Sequence, residues 1–281
     1  MSRPFLVAWR TCLGTWALWA LLPLALPASE RPKGVGPANP ENETVDLFSA
    51  IGAGQLEVRL VPADSSQCRL LVKNKTQKPL NVRIPQAFAG VPVLAQFQNP
   101  NLPFPQGPDA NANSNAPQAL GVGVPGAQNP WGNNRNQQLF NLPGPMNMQG
   151  PGVGLWNIAP EKVGQWRLPA VCLEHGRPEP RPAVAYEVRP IESVAPKPEV
   201  AQLCAMLARG EVSHAAAQAA AWNLNNGLSW DELKSKRLML PFGVTRPFFQ
   251  ARELADAKKA VERAARLIEQ GQAGPSQSPG E

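Results

Sequence analysis

Four side chains of types that do thiol or metal chemistry lie in the second half of the chain: Cys172, His175, Cys204 and His214. A histidine near a cysteine can hold the thiol as a nucleophilic thiolate, and both residue types bind zinc. Residues three apart on an extended strand point to opposite faces, however, and the four separations match no compact zinc motif. The favoured interpretation is that Cys172 is buried at the end of a strand and that His175 begins the following turn.

The cysteines also predict a crosslink. Cys68 in CRLLVKN and Cys172 in QWRLPAVCL are each in phase with apolar neighbours, so both sulfur atoms are expected to point into one core. A Cys68–Cys172 disulfide is the resulting hypothesis, and it would contribute about 4 kcal/mol in the chain-entropy treatment. Cys204 lies on the apolar face of a predicted helix and is expected to be a free thiol. Pairing of Cys204 with Cys172 is the alternative.

The first thirty residues have the layout of a secretory signal. Arg3 and Arg10 precede an uncharged run that ends in small residues, and cleavage after Ala28 is expected. The alternative is an uncleaved membrane anchor, against which two prolines late in the run argue. The predicted location is therefore secreted, periplasmic or at the cell envelope, with an oxidising environment for the cysteines.

Charge and motif content exclude several classes of function. The chain has 27 basic and 21 acidic residues; without the two arginines of segment 1–28, 25 basic residues remain against 21 acidic ones, a net charge of +4. No basic stripe interleaved with aromatic residues is present, so nucleic-acid binding is not expected. Two histidines and the absence of phosphate-loop, serine-elbow, HExxH and EF-hand motifs predict a protein without enzyme activity or cofactor.

The elements that would position these residues fall into a β part and a helical part. Alternating apolar residues predict strands in QLEVRLVP, CRLLVKN, LNVRIP, QWRLPAVCL and VAYEVRP. Between the third and fourth of these, 38 of the 60 residues 96–155 are Pro, Gly, Asn or Gln, which predicts a long disordered loop. With a further short run at residues 91–97, the chain has six or seven predicted short strands, which indicate a small antiparallel, Ig-like β-sandwich over residues 42–192, interrupted by that loop.

Residues 196–270 change to helical spacing and predict a C-terminal helical module, which makes the fold class α+β. Ser213 is a predicted N-cap, and Ser229 with Glu232 forms a predicted capping box. Residues 271–281 are predicted to be a disordered tail.

Three stretches carry a resemblance: NKTQKPLNVRIPQAF (74–88), VCLEHGRPEP (171–180) and AAQAAAWNLNNGLSW (216–230). They resemble segments of exported bacterial proteins of unknown function. The resemblance implies a build of two modules and an exported bacterial setting, and it brings no catalytic residues.

These observations predict an exported, non-enzymatic protein with an interaction or structural role at the cell envelope or outside the cell. Its partner is expected to be a protein or another envelope component, with membrane contact only if the N-terminal segment is retained. One alternative is a membrane-anchored envelope component. The other is a thiol-redox or metal-binding protein that uses Cys172, His175 and Cys204, with His214 as a further metal ligand.

Overall fold

The computed structural model of the protein describes residues 32–93, 116–125 and 154–272. These residues belong to one compact unit, Arg31–Glu281. The predicted signal segment 1–28, most of the predicted loop 96–155 and residues 273–281 of the predicted tail lie outside the described residues. Nothing in the described residues supports the predicted signal peptide or secretion. None of the helices in the described part of the chain combines the length and apolar composition needed to cross a bilayer.

Twelve strands and five α-helices make up the described residues. In chain order they are β1 (Gly36–Pro37), β2 (Glu43–Asp46), α1 (Leu47–Gly52), β3 (Leu56–Pro62), β4 (Gln67–Asn74), β5 (Leu80–Arg83), β6 (Ala87–Pro92), β7 (Leu120–Gly123), β8 (Leu155–Ile158), β9 (Val163–Cys172), β10 (Tyr186–Arg189), α2 (Pro198–Ala208), α3 (His214–Asn226), α4 (Trp230–Ser235), β11 (Arg237–Met239), β12 (Thr245–Pro247) and α5 (Ala251–Gln272).

The central feature is a closed barrel of six antiparallel strands in the order β10-β3-β4-β9-β7-β6. The predicted Ig-like β-sandwich is therefore wrong. Alternating residues such as Leu60, Leu70 and Leu168 are buried as predicted, but they fill the inside of one closed sheet. Alternation shows that a strand has one buried face, but it does not show whether the sheet closes on itself. The sequence pattern therefore does not distinguish a barrel from a sandwich.

Strand β7 lies inside the range 96–155 that was predicted to be disordered throughout. Its four residues are buried and pair with β6 on one side and β9 on the other. Glycine is required there, because a Cβ on Gly121 would stand 2.9 Å from Cys204 Sγ and one on Gly123 only 2.0 Å from the Cys204 carbonyl oxygen. The Gly-rich composition that predicted a loop instead lets a helix lie directly on the barrel wall.

A second, smaller sheet has the order β1-β8-β5-β2, in which β2 runs parallel to β5 and the other pairs are antiparallel. The buried Asn81 ties this sheet to the preceding loop, because its Nδ2 donates to the carbonyl oxygens of Asn39 at 2.6 Å and Asn42 at 3.1 Å. It therefore fixes the strands that precede the barrel.

The helices cover one side of the barrel and share a continuous apolar core with it. Helix α2 packs on β7 and β9, α3 packs on β9, and α5 packs on both α2 and α3. Ser213 Oγ accepts a hydrogen bond from Ala216 N at the start of α3. At the start of α4, Ser229 Oγ accepts from Glu232 N while Glu232 Oε2 accepts from Ser229 N at 2.7 Å, which is a complete capping box.

The predicted Cys68–Cys172 disulfide is wrong, since Cys68, Cys172 and Cys204 are all free and buried. Cys68 pairs with Leu168 across the β4–β9 ladder, four residues before Cys172. At about 3.3 Å per residue the two cysteines are roughly 13 Å apart along the strands, far beyond the ~7 Å Cα limit of a disulfide. The inward direction of both side chains was predicted from parity, but the register was not.

Candidate functional site

A groove with a cavity volume of about 370 Å³ opens where the end of β9 and its following turn meet α3 and the segments on either side of the β11–β12 hairpin. Three of the four residues singled out for chemistry line it: Cys172, His175 and His214. The fourth, Cys204, lies on α2 behind β7 and does not line the groove. The turn therefore brings the first three together, as their spacing alone did not require.

Gln218 holds the end of β9 against α3. Its Oε1 accepts from the Cys172 backbone N–H at 2.8 Å, and its Nε2 donates to the Cys172 carbonyl oxygen at 2.9 Å. The side chain thus continues the strand's hydrogen bonding where the ladder stops. Because these groups are buried, an unpaired member would cost about 1–3 kcal/mol, so this pair fixes the floor of the groove.

His214 and His175 have separate partners. His214 Nε2 lies 3.1 Å from the Ala170 carbonyl oxygen, so it must carry hydrogen and donate, because a carbonyl can only accept. His175 Nε2 lies 2.8 Å from Lys236 Nζ, and an ammonium can only donate, so this imidazole nitrogen is the acceptor. His175 is therefore neutral, with its hydrogen on Nδ1.

Aromatic rings surround the Lys236–His175 pair. Lys236 Nζ stands 5.3 Å from the ring centroids of both Trp222 and Phe248. His175 packs edge-on against Trp222 at 4.8 Å, and Phe249 closes the cluster at 5.8 Å from Trp222. Burial lowers the pKa of Lys236, and burial together with Lys236 lowers the pKa of His175 against an opposing effect of Glu232.

The thiols are protonated at neutral pH. Burial raises the pKa of Cys172 to about 12, with smaller contributions from Glu179 and Asp64, and burial raises the pKa of Cys204 to about 12. Burial also raises the pKa of Cys68. A thiol is a nucleophile or metal ligand as the thiolate, so these side chains are inert fillers in this state. Across the described ranges, no group of three His, Cys, Asp or Glu side chains is placed to hold a metal ion.

Two nearly completely buried residues that line the groove carry a polar atom without a partner. Gln118 is 4% exposed; its Nε2 donates to the Arg177 carbonyl oxygen, but its Oε1 has no donor. Trp222 is 5% exposed, and its indole Nε1–H has no acceptor. Buried polar atoms are paired in nearly all cases. Trp156 Nε1 and Trp166 Nε1 are also without a partner, but neither residue lines the groove.

The hairpin Arg237–Pro247 next to the groove exposes apolar side chains. Met239 is 81% exposed, Val244 56%, and Phe242 at the tip is completely exposed, while Leu240 stands at 37%. The tip is fixed by a 2.7 Å hydrogen bond from Leu240 N to the Val244 carbonyl oxygen and by the left-handed backbone of Phe242 at φ 64°. This is the main exposed apolar surface among the described residues.

Sequence reasoning missed Lys236 and the hairpin. Lys236 follows a short helix and meets His175 only through the tertiary fold, 61 residues apart in the chain. The hairpin did leave a local signal in the sequence. The turn-forming residues Pro241 and Gly243, in LPFG, separate two short strand-like runs, RLM and VTRP. Comparison of the chain with protein-family models, curated proteins and solved structures finds no match.

Proposed function

We propose that the protein is a non-enzymatic binding protein that docks on a partner protein through the hairpin Arg237–Pro247. The observation that carries the proposal is Phe242, a large aromatic side chain held completely in solvent at the hairpin tip. Apolar residues of this size are normally buried in the chain that contains them, and full burial of one is worth about 1.5–3 kcal/mol. Phe242 makes no such contribution to its own fold.

The backbone at the tip favours a shaped pocket as the receiver of Phe242. A left-handed conformation costs a non-glycine residue about 1–2 kcal/mol, and Phe242 adopts it beside Gly243 at φ 74°. Strain of this kind persists where the direction of a side chain matters. A lipid surface accepts an apolar group in any direction, whereas a pocket on a folded partner accepts an aromatic anchor in one direction only.

The charges of the hairpin indicate the rim of that pocket. Arg237 and Arg246 are exposed, and the segment 237–247 contains no acidic residue. An apolar tip between two cations complements an apolar pocket with an acidic rim. Phenylalanine and arginine are also enriched in protein interfaces relative to the rest of the surface.

The interior supports a binding role over thiol chemistry. The thiols are buried and protonated, and the side chain of Gln218 is committed to holding the backbone of Cys172. A thiol activated for catalysis lies in an electropositive and partly exposed setting with a lowered pKa, which is the opposite of what burial does at Cys172.

Site-specific photo-crosslinking in the source cells tests the proposal. A photoreactive phenylalanine at position 242 is expected to give one discrete protein adduct, which the same group at Val163 does not give; Val163 is an exposed apolar residue on the barrel, at 44% exposure. The adduct protein is then purified and its affinity for the wild-type chain measured. Phe242→Asp is expected to weaken this binding at least about 30-fold, since a hot-spot anchor is worth about 2 kcal/mol or more.

Val163→Asp is the matched control and is expected to leave the affinity unchanged. Adducts with lipid, or with a second copy of this chain, would each replace the proposed partner with another. Equal binding by the Phe242→Asp and wild-type chains would remove the hairpin from the interface.

A further inference from the structure

The groove has the composition of a small-molecule binding site. Its walls are the rings of Trp222, Phe248 and Phe249, and its volume of about 370 Å³ lies within the range of small-molecule sites, ~300–1,000 Å³. A mostly apolar wall with a few convergent polar groups is the usual construction of such a site.

Lys236 supplies a positive charge that no ion pair balances among the described residues, and the groove lining also contains the carboxylate of Glu179. Its ammonium donates to His175 Nε2 and contacts two aromatic faces, but no carboxylate of the described residues lies within ion-pair distance of it. The other groove cation, Arg177, is already paired with Glu174 at 2.9 Å. A half-buried ammonium with donors to spare is completed by an anion.

The two orphaned atoms specify the rest of the ligand. Trp222 Nε1–H is a donor without an acceptor, and it belongs to the ring over which Lys236 Nζ stands. Gln118 Oε1 is an acceptor without a donor, which a ligand hydroxyl or N–H would satisfy. Each orphan is buried in a residue less than 6% exposed, so bulk water does not substitute for the ligand freely.

We infer that the groove binds a small aromatic carboxylate bearing a hydroxyl group, with the carboxylate at Lys236 and Trp222 and the hydroxyl at Gln118. The ring packs on Phe248 and Phe249. The groove residues Lys236 and Phe248 flank the hairpin, but its tip does not line the groove, so a substitution at Phe242 is expected to leave the ligand site in place.

An NMR titration of the full chain with 4-hydroxycinnamate tests the inference. The indole N–H signal of Trp222 is identified by its absence in Trp222→Phe. A saturable downfield shift of that signal is expected, because it gains an acceptor. 4-Hydroxycinnamamide, which has the same ring and hydroxyl without the charge, is expected to bind at least 10-fold more weakly, and unsubstituted cinnamate several-fold more weakly.

Lys236→Met is expected to weaken 4-hydroxycinnamate binding at least 10-fold. Lys258→Met is the matched control, because Lys258 on α5 stands over Trp230 at 5.6 Å in the same type of cation–π contact. The affinity of this variant for 4-hydroxycinnamate is expected to stay within twofold of the wild-type value. Unchanged indole signals of the other tryptophans show that each variant is folded.

The inference is overturned if the Trp222 signal does not saturate with millimolar carboxylate, if carboxylate and amide bind alike, or if Lys236→Met binds as the wild type does. The comparison of the two probes on the wild-type chain decides the matter even if the lysine variant does not fold. Phe242→Asp is expected to bind the carboxylate normally, which separates this result from the docking proposal.

Discussion

In the described part of the chain, two turns place a non-glycine residue in the left-handed region, and they differ in what surrounds that residue. Glu161, at φ 58°, lies in the turn between β8 and β9. Its carboxylate is 3.7 Å from Lys73 Nζ and accepts from Gln77 Nε2 at 3.5 Å. Phe242, at φ 64° in the β11–β12 turn, is completely exposed.

The backbone strain at Glu161 is accompanied by side-chain contacts within the fold, whereas the backbone strain at Phe242 is accompanied by a fully exposed side chain. Glu161 joins the turn to the neighbouring strand at Lys73 and to the neighbouring loop at Gln77 through two exposed side-chain contacts. Phe242 adds an exposed ring to an unfavourable backbone conformation. No contact within the described residues accounts for the strain at Phe242, which supports the proposed docking of this residue on a partner.

The contrast extends to packing. On the barrel wall, α2 lies so close to β7 that a Cβ on Gly123 would be 2.8 Å from Ala208 Cβ as well as 2.0 Å from a backbone oxygen. On the hairpin, the residues Thr245–Pro247 are exposed throughout. The contact between α2 and β7 has no space for an added methyl group, whereas the hairpin has surface that the rest of the described chain does not cover.

The largest expected effect is on the close-packed side. Gly123→Ala forces α2 away from the barrel, because the contact is with backbone that cannot rotate aside. Overpacking of this kind costs 1–3 kcal/mol or more, and a backbone clash lies at the upper end. We expect the free energy of unfolding in urea to fall by about 3 kcal/mol.

Gly52→Ala is the matched control, because a Cβ there meets nothing within 4 Å and the residue ends helix α1. A gain of up to ~1 kcal/mol is expected from the better helix propensity of alanine. If the two variants have equal stability, the barrel wall is not closely packed and the contrast with the hairpin is lost.

This glycine also marks the limit of prediction from sequence. Period-two alternation located β3, β4 and β9 and the inward side of each, since that signal depends on neighbouring residues only. Strand β7 was missed because its glycines are required by close contact with helix α2, which lies some eighty positions further along the chain. Closure of the barrel depends on pairing between distant strands, such as β6 with β10, which no local pattern encodes.

The candidate site follows the same division. The turn that begins at His175 was predicted from local sequence, and so were the capping residues Ser213 and Ser229. The contact between His175 and Lys236, and the register that separates Cys68 from Cys172, depend on tertiary placement. An alternation argument fixes which face a side chain occupies but not its height along the strand.

The two turns themselves give the next largest effect. Phe242→Gly removes left-handed strain of about 1–2 kcal/mol and adds roughly 0.5–1 kcal/mol of unfolded-state entropy, so a net gain in stability of about 0.5 kcal/mol is expected. Glu161→Gly gains the same relief but loses its contacts with Lys73 and Gln77. Its stability is expected to stay unchanged or to fall slightly.

Paired urea unfolding of the two variants measures the difference directly. Phe242→Gly should be the more stable protein and at the same time bind the crosslinked partner more weakly. If Phe242→Gly is no more stable than Glu161→Gly, then Phe242 supports its own fold, and its backbone strain is no argument for a partner.

The smallest expected effect concerns His175, a single half-buried group. Its pKa in the folded protein is lowered by burial and by Lys236, with Glu232 acting in the opposite direction. The unfolded chain therefore binds more protons than the folded one as pH falls below about 6.5, the ordinary value for histidine. By linkage, stability falls with acidification in this window and levels off below the folded-state pKa.

His175→Gln isolates this effect, because glutamine keeps an acceptor for Lys236 but does not titrate between about pH 7.5 and pH 5.5. The difference in unfolding free energy between these two pH values should be smaller in the variant than in the wild type. Lys236 is present in both proteins, so the comparison of their slopes isolates the titration of His175 from that of Lys236, whose pKa burial lowers. An equal slope in both proteins would mean that His175 accepts a proton freely beside Lys236, and the neutral, acceptor role assigned to its Nε2 would be wrong.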